Sequence, residues 1–297
     1  MTAVLDRADH RRSAAPAARR RPRSRGTARH PLAYLLLAVL ALYALGPMLV
    51  FVLASLKTPS EISDSPLGLP GEFRWSNFAT AWLDANMGTG LMNSAIISVS
   101  TAAGVCVIAG CAAYALTRLD LPKPGAVILY LLVASSLPIQ LFLVPLLSLW
   151  TEIGLYDNRF GLIVIYWALY SPFATLLIRS FLLAVPKEYE AAARLDGAGE
   201  IQVFTRIVFP LIWPGVLTAG LVSGLQAYNE FLLAVTFIQD SENLPASISL
   251  YSFQQGFSPN WALVSAAGLI MVLPVLVLFI ALQRRFVEGY TSSGMAG

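Results

Sequence analysis

Long apolar runs separated by short polar joints make up most of this chain. Six runs carry at most one charge each, at residues 32–56, 91–116, 125–150, 161–183, 214–237 and 261–282. A helix needs roughly 20 residues to cross about 30 Å of hydrocarbon, so each run predicts a spanning helix with some tilt. The pattern therefore predicts an all-α membrane protein with six transmembrane helices. The first run is longer than the roughly 7–15 residues of a signal-peptide core, and no small-residue cleavage site follows it. It is expected to persist as a helix.

One joint departs from the pattern. Residues 186–215 read PKEYEAAARLDGAGEIQVFTRIVFPLIWPG. Pro186 suits a first helical turn, and residues 187–195 are mostly good helix formers. Glu188 and Glu190 fall near the positive end of the helix dipole, and Glu190 with Arg194 forms an i,i+4 pair. Asp196-Gly197 ends this helix, Gly197 being free to turn left-handed. A second helix is expected over about residues 199–209, with Ile201, Val203, Phe204, Ile207 and Val208 on one arc and Gln202, Thr205 and Arg206 facing away. The result is a helix-turn-helix knob whose tip is faced by Ala191, Ala192 and Ala193, and whose apolar side returns to the membrane at Pro210 and Pro214. Two capped helices exceed what a connector needs. The knob is expected to be a docking element.

Composition supports the bilayer assignment: 57% of residues are hydrophobic and 12% charged, with a mean hydropathy of +0.66. Cytoplasmic segments retain the excess of Lys and Arg. Of the 20 such residues, only Lys57, Arg74 and Arg159 lie on outer segments when the N-terminus is placed inside. Both termini and the connector 184–213 are accordingly expected in the cytoplasm, and the 57–90 loop outside. Residues 1–31 are arginine-rich and of low complexity. They are expected to be disordered, serving as a topology anchor or lying on anionic lipid, with no role toward nucleic acid.

Several chemistries are excluded. Cys106 and Cys111 point about 140° apart on a helix of 3.6 residues per turn and cannot bond to each other. The histidines, His10 and His30, both sit in the tail, so the usual ligands assemble no metal site. A phosphate-binding loop requires Gly before its Lys; Leu or Pro precedes Lys57, Lys123 and Lys187. No catalytic, cofactor-binding or metal-ligating residue is therefore expected.

Inside the runs the charges are Arg179 and Glu230, too few for a proton relay. Glu230, with Asn229, marks either a polar pathway or a contact between helices. Asn93, Gln140 and Gln226 either line such a pathway or bond helices together. Pro138, Pro145, Pro172 and Pro274 are expected as kinks or hinges.

The connector resembles the EAA loop of ABC-importer permeases, written E-A-A, three residues, G, nine residues, I-x-L-P. Gly197, Ile207 and Pro210 match at the right spacing, and RLDGA over residues 194–198 is the form found in carbohydrate-importer permeases of the maltose-permease G-subunit type. Ala191 stands at the motif's Glu position, with Glu190 one residue early. Phe209 replaces Leu, and Gly199 replaces the usual Ser or Thr cap. The resemblance extends to MNSAIIS from Met92, to AYNEFLLAVTF from Ala227, with Tyr228 for Trp, and to the tail QRRFVEGYTSSGMAG, with Ala296 for Lys.

The resemblance implies a type I ABC importer permease fold in the bacterial cytoplasmic membrane. It further implies a second permease completing the pathway, two ABC ATPase subunits that bind the ATP, an extracytoplasmic solute-binding protein and a sugar or polyol substrate. Docking to the ATPase would fall on Glu188, Glu190, Ala191, Ala192, Ala193, Arg194, Asp196, Gly197, Ala198, Ile207 and Pro210. The C-terminal tail, through Gly289, Thr291, Gly294 and Gly297, would reach toward the ATPase. Trp75, Phe78 and Trp82 in the 57–90 loop would receive the binding protein or form an aromatic belt. The alternative is a self-sufficient channel or gradient-driven carrier.

Overall fold

The computed structural model describes residues 31–254 and 259–293, with side chains described through Ala281. All regular structure among the described residues is helical. By internal contacts the chain divides into Met1–Pro47 and Met48–Gly297. The described part of the first unit is the beginning of α1 (Pro31–Ser55), an apolar helix with Pro47 inside it.

The second unit continues with α2 (Pro59–Asp64), α3 (Ser76–Asp84), α4 (Met87–Arg118), α5 (Pro124–Ser136), α6 (Leu143–Glu152) and α7 (Arg159–Leu183). Then come α8 (Glu188–Leu195), α9 (Glu200–Gln202), α10 (Phe209–Asn229), α11 (Leu232–Phe237), α12 (Ala246–Tyr251) and α13 (Trp261–Ser293). Five of these helices, α9 and α10 taken together, are long and apolar enough to cross a membrane, and a bent pair makes a sixth candidate span.

At the centre α4, α7 and α10 pack against one another. Between apolar helices in lipid, association depends on close packing rather than on the hydrophobic effect, which is why small residues sit at the contacts. A Cβ on Gly104 would lie 2.0 Å from the Trp167 ring, and one on Gly220 would lie 2.7 Å from Cys106 Sγ. Trp167 fills the first gap and donates Nε1–H to the Ser100 carbonyl at 2.9 Å. Toward α8 the three helices bury Ala109, Ala113, Ile178, Leu182 and Ile212, with Val208 from the turn before α10. A separate cluster of Ala81, Met87, Ala246, Ala266 and Ala267 joins α3 and the start of α4 to α12 and α13.

Three elements differ from the sequence expectation, the first two for a backbone reason. The run 125–150 is not one straight span: α5 and the helical stretch 139–152 meet at 91°. Pro138 has no N–H and forces its predecessor out of the helical region, and Leu137 indeed adopts ψ 132. Of the four prolines flagged as breaks, this one interrupts the chain. Pro145 sits in the first turn of α6, while Pro172 and Pro274 lie inside continuous helices.

The expected span 214–237 is replaced by a continuous helical stretch Glu200–Asn229, followed by a break at Glu230 and the short α11. The second connector helix thus merges with the span. A π turn over Val203–Val208 makes this possible, with Phe209 N–H reaching back to the Phe204 carbonyl. The wider turn absorbs the Pro210 ring, which would otherwise press on the carbonyl four residues earlier. Thirdly, α4 and α13 are longer than the apolar runs that announced them, at 32 and 33 residues.

Candidate functional site: the capped connector and the polar break

The connector is built as a rigid corner. Helix α8 closes with Ala198 N–H bonded to the Ala193 carbonyl and Gly197 N–H bonded to the Arg194 carbonyl, both at 3.0 Å. This is the Schellman pattern, which needs a left-handed residue after the C-cap; Gly197 supplies it with φ +85.

The inner face of the corner is polar and closed. Glu190 is 1% exposed, and its carboxylate meets Arg118 Nε at 2.5 Å. Arg118 also donates through Nη2 to the Leu182 and Val185 carbonyls at 3.1 and 2.7 Å. Arg194 reaches Glu190 at 3.5 Å and Glu200 at 2.7 Å. Tyr114 completes the ring by donating its hydroxyl to Glu200 at 2.9 Å. The hydrogen bond to Glu200 holds the Arg194 guanidinium protonated beyond its already high ordinary value.

The outer face is mixed and open. Leu195 is 89% exposed, Ile201 79% and Tyr189 57%, and Glu188, Ala191, Ala192, Asp196 and Gly197 are exposed beside them. This revises the sequence reading at four positions. Glu190 points into the protein, and Ala193 and Ala198 pack on the α4/α7/α10 cluster. Ile201, expected on the membrane-facing arc, projects outward. Further along, Ile207 is half-buried and Pro210 exposed. Arg118, Tyr114 and Glu200, and on the outer face Tyr189 and Leu195, were not singled out from sequence. Arg118 registers there only as a base ending a span, because its partner lies 72 positions away and no local spacing reveals the pair.

At the other end of the helices, Asn93 is 2% exposed. It donates to the Glu242 and Leu244 carbonyls at 2.8 and 3.0 Å and accepts from Arg159 at 2.6 Å. Its hydrogen-bonding capacity goes to fastening the segment before α12. Glu230 sits where α10 breaks and accepts from Tyr166 Oη at 2.8 Å, from Leu233 N–H and from Ala234 N–H. It therefore caps α11, which explains how a carboxylate is tolerated inside an apolar run. Gln140, Gln226 and Asn229 are exposed in the isolated chain, although Asn229 bonds back to the Leu225 carbonyl.

Within the tail, Gly289 and Thr291 belong to α13, while Gly294 and Gly297, like residues 1–30, lie outside the described residues. A cavity of about 700 Å³ lies against α4, α10 and α13 and is lined almost wholly by apolar groups such as Ala102, Val107, Leu221 and Leu278. It offers a hydroxylated solute almost no hydrogen-bonding partner.

Fold and connector together define a polytopic helical membrane protein that carries a latched, capped corner between two of its spans. Residues 125–291 match the family described as binding-protein-dependent transport system inner membrane component. A sulfoquinovosyl glycerol transport system permease of Agrobacterium fabrum is 35% identical over 271 residues, covering 90% of this chain and 94% of that protein. A diacetylchitobiose uptake system permease of Streptomyces coelicolor is 32% identical over 265 residues, covering 89% and 87%. The crystal structure of a bacterial ABC transporter involved in the import of the acidic polysaccharide alginate shares the fold, with a TM-score of 0.71 at 21% identity over 86% of this chain and 95% of that one.

The chain belongs to the binding-protein-dependent transport system inner membrane component family. It is a multi-pass protein of the cytoplasmic membrane, a transporter permease rather than an enzyme.

Proposed function

We propose that this chain is one permease subunit of an ATP-driven importer for a sugar or related polyol. A second permease completes the pathway, two ABC ATPase subunits bind and hydrolyse the ATP, and an extracytoplasmic binding protein delivers the solute. Support for the substrate class comes from relatives named for diacetylchitobiose, sulfoquinovosyl glycerol, and melibiose, raffinose and stachyose. Support for the binding protein comes from a related fold solved with an alginate pentasaccharide-bound periplasmic protein. The bias of Lys and Arg supports a cytoplasmic position for the termini and the connector.

The observation that carries the reading is the outer face of the connector. Leu195 stands 89% exposed on a helix that is fixed on its opposite side. With Ile201 79% and Tyr189 57% exposed on the same corner, the apolar groups held out there suit a socket on another subunit. The docking surface is therefore Glu188, Tyr189, Ala191, Ala192, Leu195, Asp196 and Gly197, with Ile201 alongside. Closure of the ATPase dimer would press on this face and bias a two-state rocking of the spans. Gln140, Gln226 and Asn229 are the polar groups available to the pathway or to the second permease.

Reconstitution tests the proposal. In liposomes the chain alone should move no labelled di- or oligosaccharide, and uptake should require the second permease, the ATPase, ATP and loaded binding protein together. Movement of solute by the chain alone, without ATP, would instead establish a self-sufficient channel or carrier.

A further inference from the structure

We propose that Arg118 is a positioning residue for energy coupling: its guanidinium clamps the connector helix α8 to the ends of α4 and α7, so that the three move as one body. The inference rests on the docking role proposed for the connector and concerns how displacement would pass from it to the spans.

The geometry is a three-way junction. Arg118 is the last residue of α4. Its Nε meets the Glu190 carboxylate of α8, and its Nη2 reaches the carbonyls of Leu182, in the last turn of α7, and of Val185 just beyond. The final carbonyls of a helix lack intrahelical partners and carry the negative end of its dipole, so a cation is favoured there. Glu190 occupies the first turn of α8, where an anion is favoured. One planar guanidinium thus hydrogen-bonds to carbonyls at the end of one helix and ion-pairs with a carboxylate in the first turn of another. Lysine, with a single charged nitrogen on a flexible stem, does not reproduce the fork.

Burial makes the junction stiff. The side chains of Arg118 and Glu190 are 4% and 2% exposed. A buried ion pair contributes little net stability, because desolvation offsets attraction, but separating the partners leaves an uncompensated charge in a dry site. The pair therefore resists relative sliding of α8, α4 and α7 more than an apolar contact would.

A second strut runs from the same face of α4. Tyr114, one turn before Arg118, binds Glu200 at the start of α9, and Arg194 bridges Glu190 to Glu200. Both halves of the corner are consequently referenced to α4, which also packs along α7 and α10 through the membrane. A push on Leu195 then has no soft joint in which to dissipate before it reaches α4.

The test pairs a motion readout with a coupling readout. The informative variant is the double substitution Arg118→Met with Glu190→Leu, which removes the clamp while filling the space with apolar groups, an exchange that buried pairs often tolerate. For motion, spin labels are placed through Val107→Cys on α4 and Leu195→Cys on α8, both exposed positions, in the full chain with Cys106 and Cys111 replaced by Ala. The unclamped chain should show a distance distribution at least twofold broader than the parent; equal widths overturn the proposal.

For coupling, solute imported per ATP hydrolysed is measured in the reconstituted complex. It should fall at least tenfold in the double variant, with Arg118→Lys intermediate, while stimulated ATP hydrolysis persists. An unchanged ratio overturns the proposal. If the parent chain binds no ATPase at all, the docking reading fails, and the label widths still decide whether the clamp exists.

Discussion

Gly197→Val separates backbone strain from docking more cleanly than any other change in the connector. Gly197 holds φ +85, where an L-residue pays roughly 1–2 kcal/mol relative to the right-handed region. A branched side chain falls at the upper end of that range. A Cβ built at this position meets nothing within 4 Å, so no atom of the permease must move to admit it. The chain should fold and insert, with the corner strained by a factor of roughly 5–30 in its local equilibrium. The isopropyl group would project into the space reserved for the proposed ATPase socket. Gly197→Ala carries most of the backbone penalty with little bulk. Gly199→Val adds bulk at a residue with φ -74 and similarly open surroundings.

Copurification of the ATPase and uptake per ATP should therefore decline from the parent through Gly197→Ala to Gly197→Val by at least tenfold, with Gly199→Val milder. Full uptake and normal stoichiometry in Gly197→Val would refute both the docking face and the requirement for this turn.

Two further outcomes are expected. Glu230→Ala leaves the Leu233 and Ala234 amides and the Tyr166 hydroxyl without their acceptor at positions no more than 1% exposed. Each such loss costs about 1–3 kcal/mol, so thermal unfolding in detergent should shift down and amides 232–237 exchange faster, with Glu230→Gln less affected; normal melting with lost uptake would place the carboxylate in the solute pathway. In the 57–90 loop, the carboxyl of Glu61 is held below its ordinary 4.5 by hydrogen bonds from the Thr58 and Gly71 amides. A depressed carboxylate contributes stability above its unfolded value and loses it as pH falls through its folded value, so proteolysis of this loop should accelerate below about pH 4.5 and Glu61→Gln should flatten the response.

Much of this molecule is readable from one-dimensional pattern. Apolar run length announced the spans, because a bilayer core sets a minimum helix length and demands internal satisfaction of every backbone group. The turn at Gly197 was equally legible, since an Asp-Gly after a capped helix is a local instruction. Helix ends were less so: α4 and α13 extend beyond the apolar runs, because a helix does not stop where hydropathy falls.

Sequence by itself determined the class of protein, the number of candidate spans and the existence of a capped corner, all of which are set by single continuous stretches of chain. Only the tertiary structure decided which way that corner faces. Glu190 was expected on the docking face and Leu195 was not, yet the first is sealed against Arg118 and the second stands in the open. The same holds for Asn93 and Glu230, whose polar groups are consumed by backbone atoms far away or just beyond a break. Whether a polar side chain is free to act depends on which donors and acceptors arrive beside it, and long-range packing alone brings those together.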